Sequence, residues 1–166
     1  MFGRLLALIA GAALAVAASQ GPAFTDQYIQ NLTGRIDELR PIVEEFDTKV
    51  GEYNYTRASA MAECSTATGL LGALCSTYET VVGRYEMLVA HMAELNAASI
   101  WTRPLVLART YKKDIAESVY SVFKPAIPAT PEGFAYGGGG FLAGFLALSI
   151  IFGIFGGIFG GGRRYA

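Results

Sequence analysis

The sequence has 166 residues, of which 52% are apolar and 16% are charged, and its formal net charge is −1. This balance excludes a nucleic-acid binder, because no basic excess is present to neutralise phosphates. It also excludes a disordered chain, which would have a lower apolar content and a higher net charge. The apolar residues are concentrated in two uncharged stretches, 5–24 and 133–162, so we expect a domain of ordinary size together with membrane segments.

The N-terminal stretch, residues 1–24, is predicted to be a transmembrane helix or a signal peptide. Arg4 precedes an apolar run over 5–17, and Ala15 and Ala17 place small residues at the −3 and −1 positions of a cleavage site, as in a signal peptide. A retained anchor completed by residues 19–24 fits the same stretch. Both interpretations send the following region across a membrane.

Residues 25–98 are predicted to form an acidic helical hairpin, because they carry five basic and eleven acidic residues and two apolar seams. Each seam keeps an alternating spacing of four and three residues, which is typical of two helices that bury each other. Pro41 lies inside the first seam, so we expect a bend near residues 37–40. The seams are Leu32, Ile36, Leu39, Val43, Phe46, Val50 and Tyr53, and Leu74, Tyr78, Val81, Tyr85, Leu88, Met92 and Leu95.

Two cysteines lie between the seams. Cys64 and Cys75 would be too far apart for a bond on one continuous helix, but Gly69 and Gly72 permit a turn between them. In an oxidising compartment we expect a Cys64–Cys75 disulfide at the hairpin tip. The alternative is a pair of free, buried thiols.

Residues 99–124 have a net charge of +3 and are predicted to contain a third helix over 105–123. One interpretation is an interfacial helix whose basic residues contact lipid phosphates while Trp101 lies at headgroup depth. The other is a helix that caps the acidic hairpin through salt bridges, with Trp101 in the core. The candidate lipid contacts are Trp101, Arg103, Arg109, Lys112 and Lys113.

A proline-rich connector over 125–132 leads to the second membrane segment, predicted over 133–162, and to a basic tail over 163–166. A helix is predicted to start at residues 130–132. Thr130 supplies an N-cap, Pro131 supplies a preset φ, and Glu132 places a negative charge at the positive end of the helix dipole. Basic residues near both chain ends predict that both termini are cytoplasmic and that residues 25–132 are extracytoplasmic.

Small residues recur every four positions in both membrane segments, which lets helix backbones approach closely. Either the two segments pack on each other, or the C-terminal one packs against another subunit. A loosely packed glycine-rich helix is the third possibility. The candidate packing residues are Gly140, Gly144, Gly153, Gly156, Gly157, Gly160 and Gly161 in the second segment, and Ala7, Gly11 and Ala15 in the first.

The sequence offers little catalytic chemistry. His91 is the single histidine, and we expect it to be a half-exposed hairpin residue rather than a ligand or a base. We expect no metal site, no cofactor, no catalytic residue and no enzymatic activity, because a single histidine and two cysteines leave little material for any of them.

Three segments resemble the proteobacterial domain of unknown function 2937 family: SQGPAFTDQYIQNLTGRIDEL, GRYEMLVAHMAEL and AIPATPEGFAYGGGGFLAGF. The resemblance covers roughly residues 1–146. It implies a bacterial inner-membrane protein with a helical periplasmic region and a retained N-terminal span, and it implies no activity. The glycine-rich tail after Phe145 and the cysteine pair are expected to depart from the family pattern.

These expectations describe an all-α membrane protein, in which two transmembrane helices flank a periplasmic hairpin and a third helix. We expect a non-enzymatic scaffold or accessory subunit that contacts membrane lipids and other membrane subunits or its own copies. One alternative is a homo-oligomeric channel or membrane-remodelling protein built on the glycine-rich span. Another is a lipid- or envelope-handling protein that uses the basic residues of 103–124.

Overall fold

The described part of the chain contains six helices and no strand. The structure is a computed structural model that describes residues 2–125 and 129–159, with side-chain surroundings for 3–125 and 129–154. The helices are α1 (Phe2–Glu52), α2 (Arg57–Cys64), α3 (Gly69–Ala97), α4 (Arg103–Thr110), α5 (Lys113–Val122) and α6 (Pro131–Phe159). The prediction of an all-helical fold is confirmed for these residues.

The longest element, α1, joins the predicted N-terminal membrane segment to the first arm of the predicted hairpin. It contains 51 residues and runs without interruption through Pro22 and Pro41, so no helix boundary lies near residue 24. At 1.5 Å per residue its length is about 75 Å. The N-terminal apolar stretch and the first arm of the hairpin are therefore two halves of one helix. Pro41, where a bend was expected, does not divide this helix.

Helix α6 packs antiparallel against the first half of α1. Phe152 near its end lies against Gly3, and Gly137 near its start lies beside Ala15. The helix begins at Pro131, the predicted first helical residue, and the Thr130 hydroxyl accepts the N–H of Gly133 over 3.2 Å. This cap is the one that the sequence predicts.

The second half of α1 and α3 form an antiparallel hairpin. The Tyr28 hydroxyl contacts the His91 ring at one end, and the rings of Phe46 and Tyr78 lie 5.0 Å apart, centre to centre, towards the other. The two helices therefore run in opposite directions. This arrangement has the order that the two apolar seams predict.

A short helix, α2, closes the tip of the hairpin and is absent from the predicted elements. Thr56 and Ser59 form its capping box, which satisfies free N–H groups at its start. Arg57 then binds Asp47 of α1 and, over 3.0 Å, Glu86 of α3. This arginine ties α2 to both arms of the hairpin.

The second apolar seam is turned by one residue at its outer end. Leu88 and Leu95 are buried as expected, but Leu74 is 54% exposed and the neighbouring Cys75 is buried instead. The Cys64–Cys75 bond explains the difference, because it holds Cys75 against the end of α2 and thereby turns Leu74 outward. The predicted inward position of Leu74 is therefore wrong, as is that of Tyr53 in the first seam, which is 74% exposed, whereas Tyr78 contacts Phe46 of α1 as predicted.

The predicted single helix over 105–123 is wrong, because the chain forms α4 and α5 with a break at Tyr111 and Lys112. At the break the Lys112 N–H donates to the Tyr28 hydroxyl over 2.9 Å rather than to a helical carbonyl. The two short helices pack on the hairpin through Leu107, Ile115 and Val119, which are buried, whereas Tyr111 and Val122 are exposed.

Candidate functional site

The contact between α1 and α6 depends on glycine. A Cβ atom at Gly140 would lie 2.5 Å from the Leu14 carbonyl oxygen, and one at Gly144 would lie 2.9 Å from that of Ala10. Real Cβ atoms do not approach backbone oxygens so closely, so only glycine permits this separation of the helices. Small residues at such spacing are typical of membrane helix pairs.

The predicted small residues of α1 lie in the same contact. Gly11 faces Phe141, since a Cβ atom there would meet the Phe141 ring at 3.0 Å, and Ala7 is fully buried. The Ala15 carbonyl oxygen lies close to Gly137. Of the predicted glycines of α6, Gly144 therefore meets the predicted Gly11, whereas Gly140 meets Leu14 and Ala18 beside the predicted small face.

Among the remaining predicted packing glycines, only Gly153 has described surroundings. A Cβ atom at Gly153 would meet nothing within 4 Å, so this glycine faces away from α1. Gly156 and Gly157 belong to α6 but lie beyond the residues whose surroundings are described. Gly160 and Gly161 lie outside the described residues.

The outer surface of the α1–α6 pair is apolar. Only 22% of the most apolar window of α1 and 6% of that of α6 is buried. Large side chains that face outward, each at least 43% exposed, include Leu5, Ile9, Val16, Leu142, Leu146, Ile150 and Ile151. By length and composition, both helices could cross a membrane.

Cys64 and Cys75 are joined by a disulfide, with their Cα atoms 5.3 Å apart. The bond links the end of α2 to the first turns of α3. Gly69 begins α3 with a φ of 64°, which a side chain would disfavour. The turn that the sequence analysis expected between the two cysteines therefore occurs at residues 65–69.

The predicted lipid contacts have different environments. The Arg103 side chain donates to the Leu95 and Ala98 carbonyl oxygens over 3.0 and 3.3 Å, so it caps the end of α3 rather than reaching outward. Trp101 is 47% exposed, and its carbonyl oxygen accepts the Tyr136 hydroxyl of α6 over 2.7 Å. The expectation that Trp101 lies in the core, which belonged to the capping interpretation, is therefore wrong.

The other three candidates lie nearer the outer surface. Arg109 and Lys113 are exposed, whereas Lys112 is half-buried. Lys113 lies 3.7 Å from Glu117 of the same helix. An exposed pair of this kind contributes little to stability. Arg109 and Lys113 therefore face outward without a strong partner in the described structure.

Asp114 docks the basic segment on the acidic hairpin. Its carboxylate accepts Arg35 of α1 over 2.9 Å and Arg84 of α3 over 2.8 Å. The Arg84 hydrogen bond, opposed in part by burial and assisted by both positive charges, lowers the pKa of Asp114. The predicted capping placed basic residues of the segment 99–124 against acidic residues of the hairpin. The observed ion pairs have the opposite arrangement, because Asp114 of the segment binds arginines of the hairpin.

A buried polar cluster connects α1, α3 and the break between α4 and α5. The fully buried Tyr28 places its hydroxyl 3.0 Å from His91 Nε2, while the same oxygen accepts the Lys112 N–H. This arrangement favours donation by the hydroxyl to Nε2, which leaves the ring proton on Nδ1. Nδ1 is 3.5 Å from a Glu94 carboxylate oxygen, too far for a normal hydrogen bond.

The expected half-exposed position of His91 is wrong, since the residue is 3% exposed. Burial, the largest influence, lowers the pKa of His91 although Glu94 opposes the shift. The cluster links α1, α3 and the break between α4 and α5. Tyr28 lies four residues before Leu32, and that helical spacing was the signal that could have revealed it.

The described residues contain no group of three or more His, Cys, Asp or Glu side chains that could hold a metal ion. The family model described as "Protein of unknown function (DUF2937)" matches residues 2–160. The chain belongs to the DUF2937 family. The match includes most of the glycine-rich segment, so the extent expected for the DUF2937 resemblance, residues 1–146, was too short. No curated protein and no solved structure matches this DUF2937 chain.

Proposed function

We propose that this DUF2937 protein is a non-enzymatic scaffold or accessory subunit of a larger complex in the bacterial inner membrane. The first half of α1 and α6 form its two-helix anchor, both termini lie in the cytoplasm, and residues 25–132 lie in the periplasm. One observation carries the proposal: α1 is a single helix from Phe2 to Glu52. Anchor and hairpin therefore share one continuous helix.

The exposed apolar surface of the α1–α6 pair supports the anchor. The core helix of a soluble protein buries its apolar residues, whereas the apolar window of α6 is only 6% buried. The described part of that helix, Pro131–Ile154, has 24 residues, which corresponds to about 36 Å and covers a hydrocarbon core of about 30 Å. A bilayer is the environment that removes this surface from water at least cost.

The antiparallel packing and the basic residues support the orientation. Gly3 lies beside Phe152, so the start of α1 and the later part of α6 are at one end of the pair. Arg4, Arg163 and Arg164 are the basic residues nearest those ends in the sequence. The positive-inside rule then assigns that end to the cytoplasm.

The remaining length of α1 supports the scaffold role. From residue 25 the helix continues to Glu52, and these 28 residues extend about 42 Å at 1.5 Å per residue. The Tyr28–His91 cluster and the paired Asp114 brace the near half of this arm. A braced rod holds the hairpin tip at a fixed height above the membrane, which suits a protein that positions a partner.

Association within the membrane would use surfaces other than the predicted pair of glycines. Gly140 and Gly144 are already packed against α1, so they are not available to another subunit. The apolar outer faces and the side of α6 that carries Gly153 are open. These are the faces that a neighbouring subunit would contact.

Native mass spectrometry after mild extraction from the protein's own membranes tests the proposal. We expect a stoichiometric complex with at least one other membrane chain. An assembly of identical copies that conducts ions in liposomes would instead favour the channel alternative. A strictly monomeric species would contradict both.

An apolar groove supports lipid handling as a second candidate function. Its volume is about 460 Å³, and its lining includes Phe24, Tyr111 and Phe123 between α1 and the two short helices. Arg109 and Lys112 follow groove residues along the chain, so their charges favour an anionic lipid whose acyl chain enters the groove.

Lipid retention tests this second candidate. We expect Arg109→Glu to reduce the anionic lipid that copurifies with the full chain. Arg40→Glu is the matched control, because it makes the same charge change on an exposed site of the hairpin. Equal lipid retention by the two variants would count against lipid handling.

A further inference from the structure

A second groove lies at the tip of the hairpin, between the end of α1, α2 and the start of α3. We call it the tip groove; its lining includes Phe46, Tyr53, Tyr55, Leu71 and Tyr78. Its volume is about 440 Å³, within the range of about 300–1,000 Å³ that is usual for ligand-binding clefts. The groove is open to one side and is large enough for several apolar side chains.

Several large side chains around the tip groove are exposed. Tyr53 is 74% exposed, Leu71 is 63% exposed, and Tyr55 and Tyr78 are each 41% exposed. Adjacent large apolar side chains of this kind mark interaction surfaces in soluble regions. In the proposed topology the bilayer cannot cover them, because they lie at the far end of α1 from the anchor.

The charge around the tip groove selects among possible occupants. Glu45 and Glu63 line it, while the lining residue Lys49 lies 3.0 Å from Glu52, which offsets its charge. The whole region 25–98 has a net charge of −6. Like charges therefore disfavour a second copy of the tip and an anionic lipid surface, whereas a basic partner is attracted.

The disulfide makes the tip groove a preformed site. Cys64 and Cys75 both line it, and their bond fixes α2 against α3. A groove that is already shaped loses less conformational freedom on binding than one that forms around its ligand. An exposed apolar groove with a preset shape matches the way in which amphipathic helices are bound by other helical proteins.

We propose that the tip groove binds a basic amphipathic helix of another protein. The apolar face of that helix enters between the tyrosines and Leu71, and its lysines or arginines pair with Glu45 and Glu63. The proposal rests on the scaffold function for the position of the groove, and it names the kind of partner that the scaffold holds.

A synthetic helix-forming peptide with leucine on one face and lysine on the other is a suitable probe. Its binding to the full chain, held in nanodiscs of zwitterionic lipid, is measured by fluorescence polarisation, with empty nanodiscs as background. We expect Glu45→Lys to weaken binding about tenfold, because an attraction becomes a repulsion. Glu44→Lys makes the same change one residue away, outside the groove, and should alter binding less than about twofold.

A second matched pair tests the apolar contact. Leu71→Ser should weaken peptide binding severalfold, whereas Leu70→Ser should leave it unchanged, because Leu70 is 79% exposed and does not line the groove. All four positions are exposed, so the variants should fold alike. Equal effects within each pair, or equal binding of a glutamate-for-lysine peptide, would overturn the proposal.

Failure of this inference is distinguishable from failure of the scaffold function. Peptide binding requires only an intact tip, so it does not depend on how the chain is oriented in the membrane. Loss of groove specificity in a chain with the proposed topology would refute the groove alone. Specific peptide binding by a chain with another topology would refute the topology alone.

Discussion

Alanine substitution of two adjacent glycines isolates the energy of the α1–α6 contact. In Gly140→Ala the new Cβ atom would lie 2.5 Å from the Leu14 carbonyl oxygen and 2.7 Å from the Ala18 Cβ, so the helices must separate. In Gly139→Ala the new atom meets nothing within 4 Å. Both variants share the helix-propensity gain of about 1 kcal/mol over glycine. Their difference therefore reports the packing cost alone, which is about 1–3 kcal/mol for overpacking a tight contact.

The protein's single tryptophan provides the assay. The Trp101 carbonyl oxygen accepts the Tyr136 hydroxyl, one turn before Gly140 on α6, so separation of the helices changes the surroundings of the indole. Unfolding in mixed micelles of increasing SDS fraction is followed by Trp101 fluorescence. We expect Gly140→Ala to unfold at a lower SDS fraction than Gly139→Ala. Equal midpoints would refute the close approach of α1 and α6.

Three further predictions concern the braces of the hairpin. Tyr28→Phe should cost about 1–3 kcal/mol in the free energy of unfolding, because it leaves buried groups unpaired, whereas Tyr120→Phe at a 76% exposed position should be neutral; chemical denaturation measures both. Burial lowers the pKa of His91 from its usual 6.5, so the unfolded chain takes up the proton more readily than the folded one. The free energy of unfolding should therefore fall as pH drops from about 6.5 towards the lower folded pKa. Denaturation series across that range should show this slope for the wild type and not for His91→Asn. Asp114→Asn should speed amide hydrogen exchange in α5, whereas Glu117→Gln should not. The contribution of the Asp114 ion pairs to stability should be lost as pH falls from the usual pKa of an aspartate through the lowered folded pKa of Asp114.

The seams of the hairpin were predictable because their spacing is set by local geometry. Leu32, Ile36 and Val43 on α1 and Leu88 and Leu95 on α3 are buried as their spacing indicates. Uncharged apolar stretches likewise predict two long helices, and the helix start at Thr130 follows from local capping. Each of these features depends on residues within a few turns of each other.

The features that the sequence did not reveal depend on distant partners. The break at Lys112 requires the Tyr28 hydroxyl, 84 residues earlier, to replace a helical carbonyl. The same hydroxyl explains why His91 is buried. The Cys64–Cys75 bond turns α3, and no local pattern in the second seam indicates that rotation. The reversed polarity at Asp114 also depends on arginines from two other helices.

Labelling of single cysteines with a membrane-impermeant maleimide tests the central claim, an anchor with the hairpin outside the membrane. In a Cys64→Ser, Cys75→Ser background, Glu79→Cys, Leu146→Cys and Arg164→Cys are expressed separately in a bacterium. We expect Glu79→Cys to react in intact spheroplasts, Arg164→Cys to react only after lysis, and Leu146→Cys, in the middle of α6, to resist labelling in both. Rapid labelling of Leu146→Cys, or labelling of Arg164→Cys before lysis, would contradict this claim.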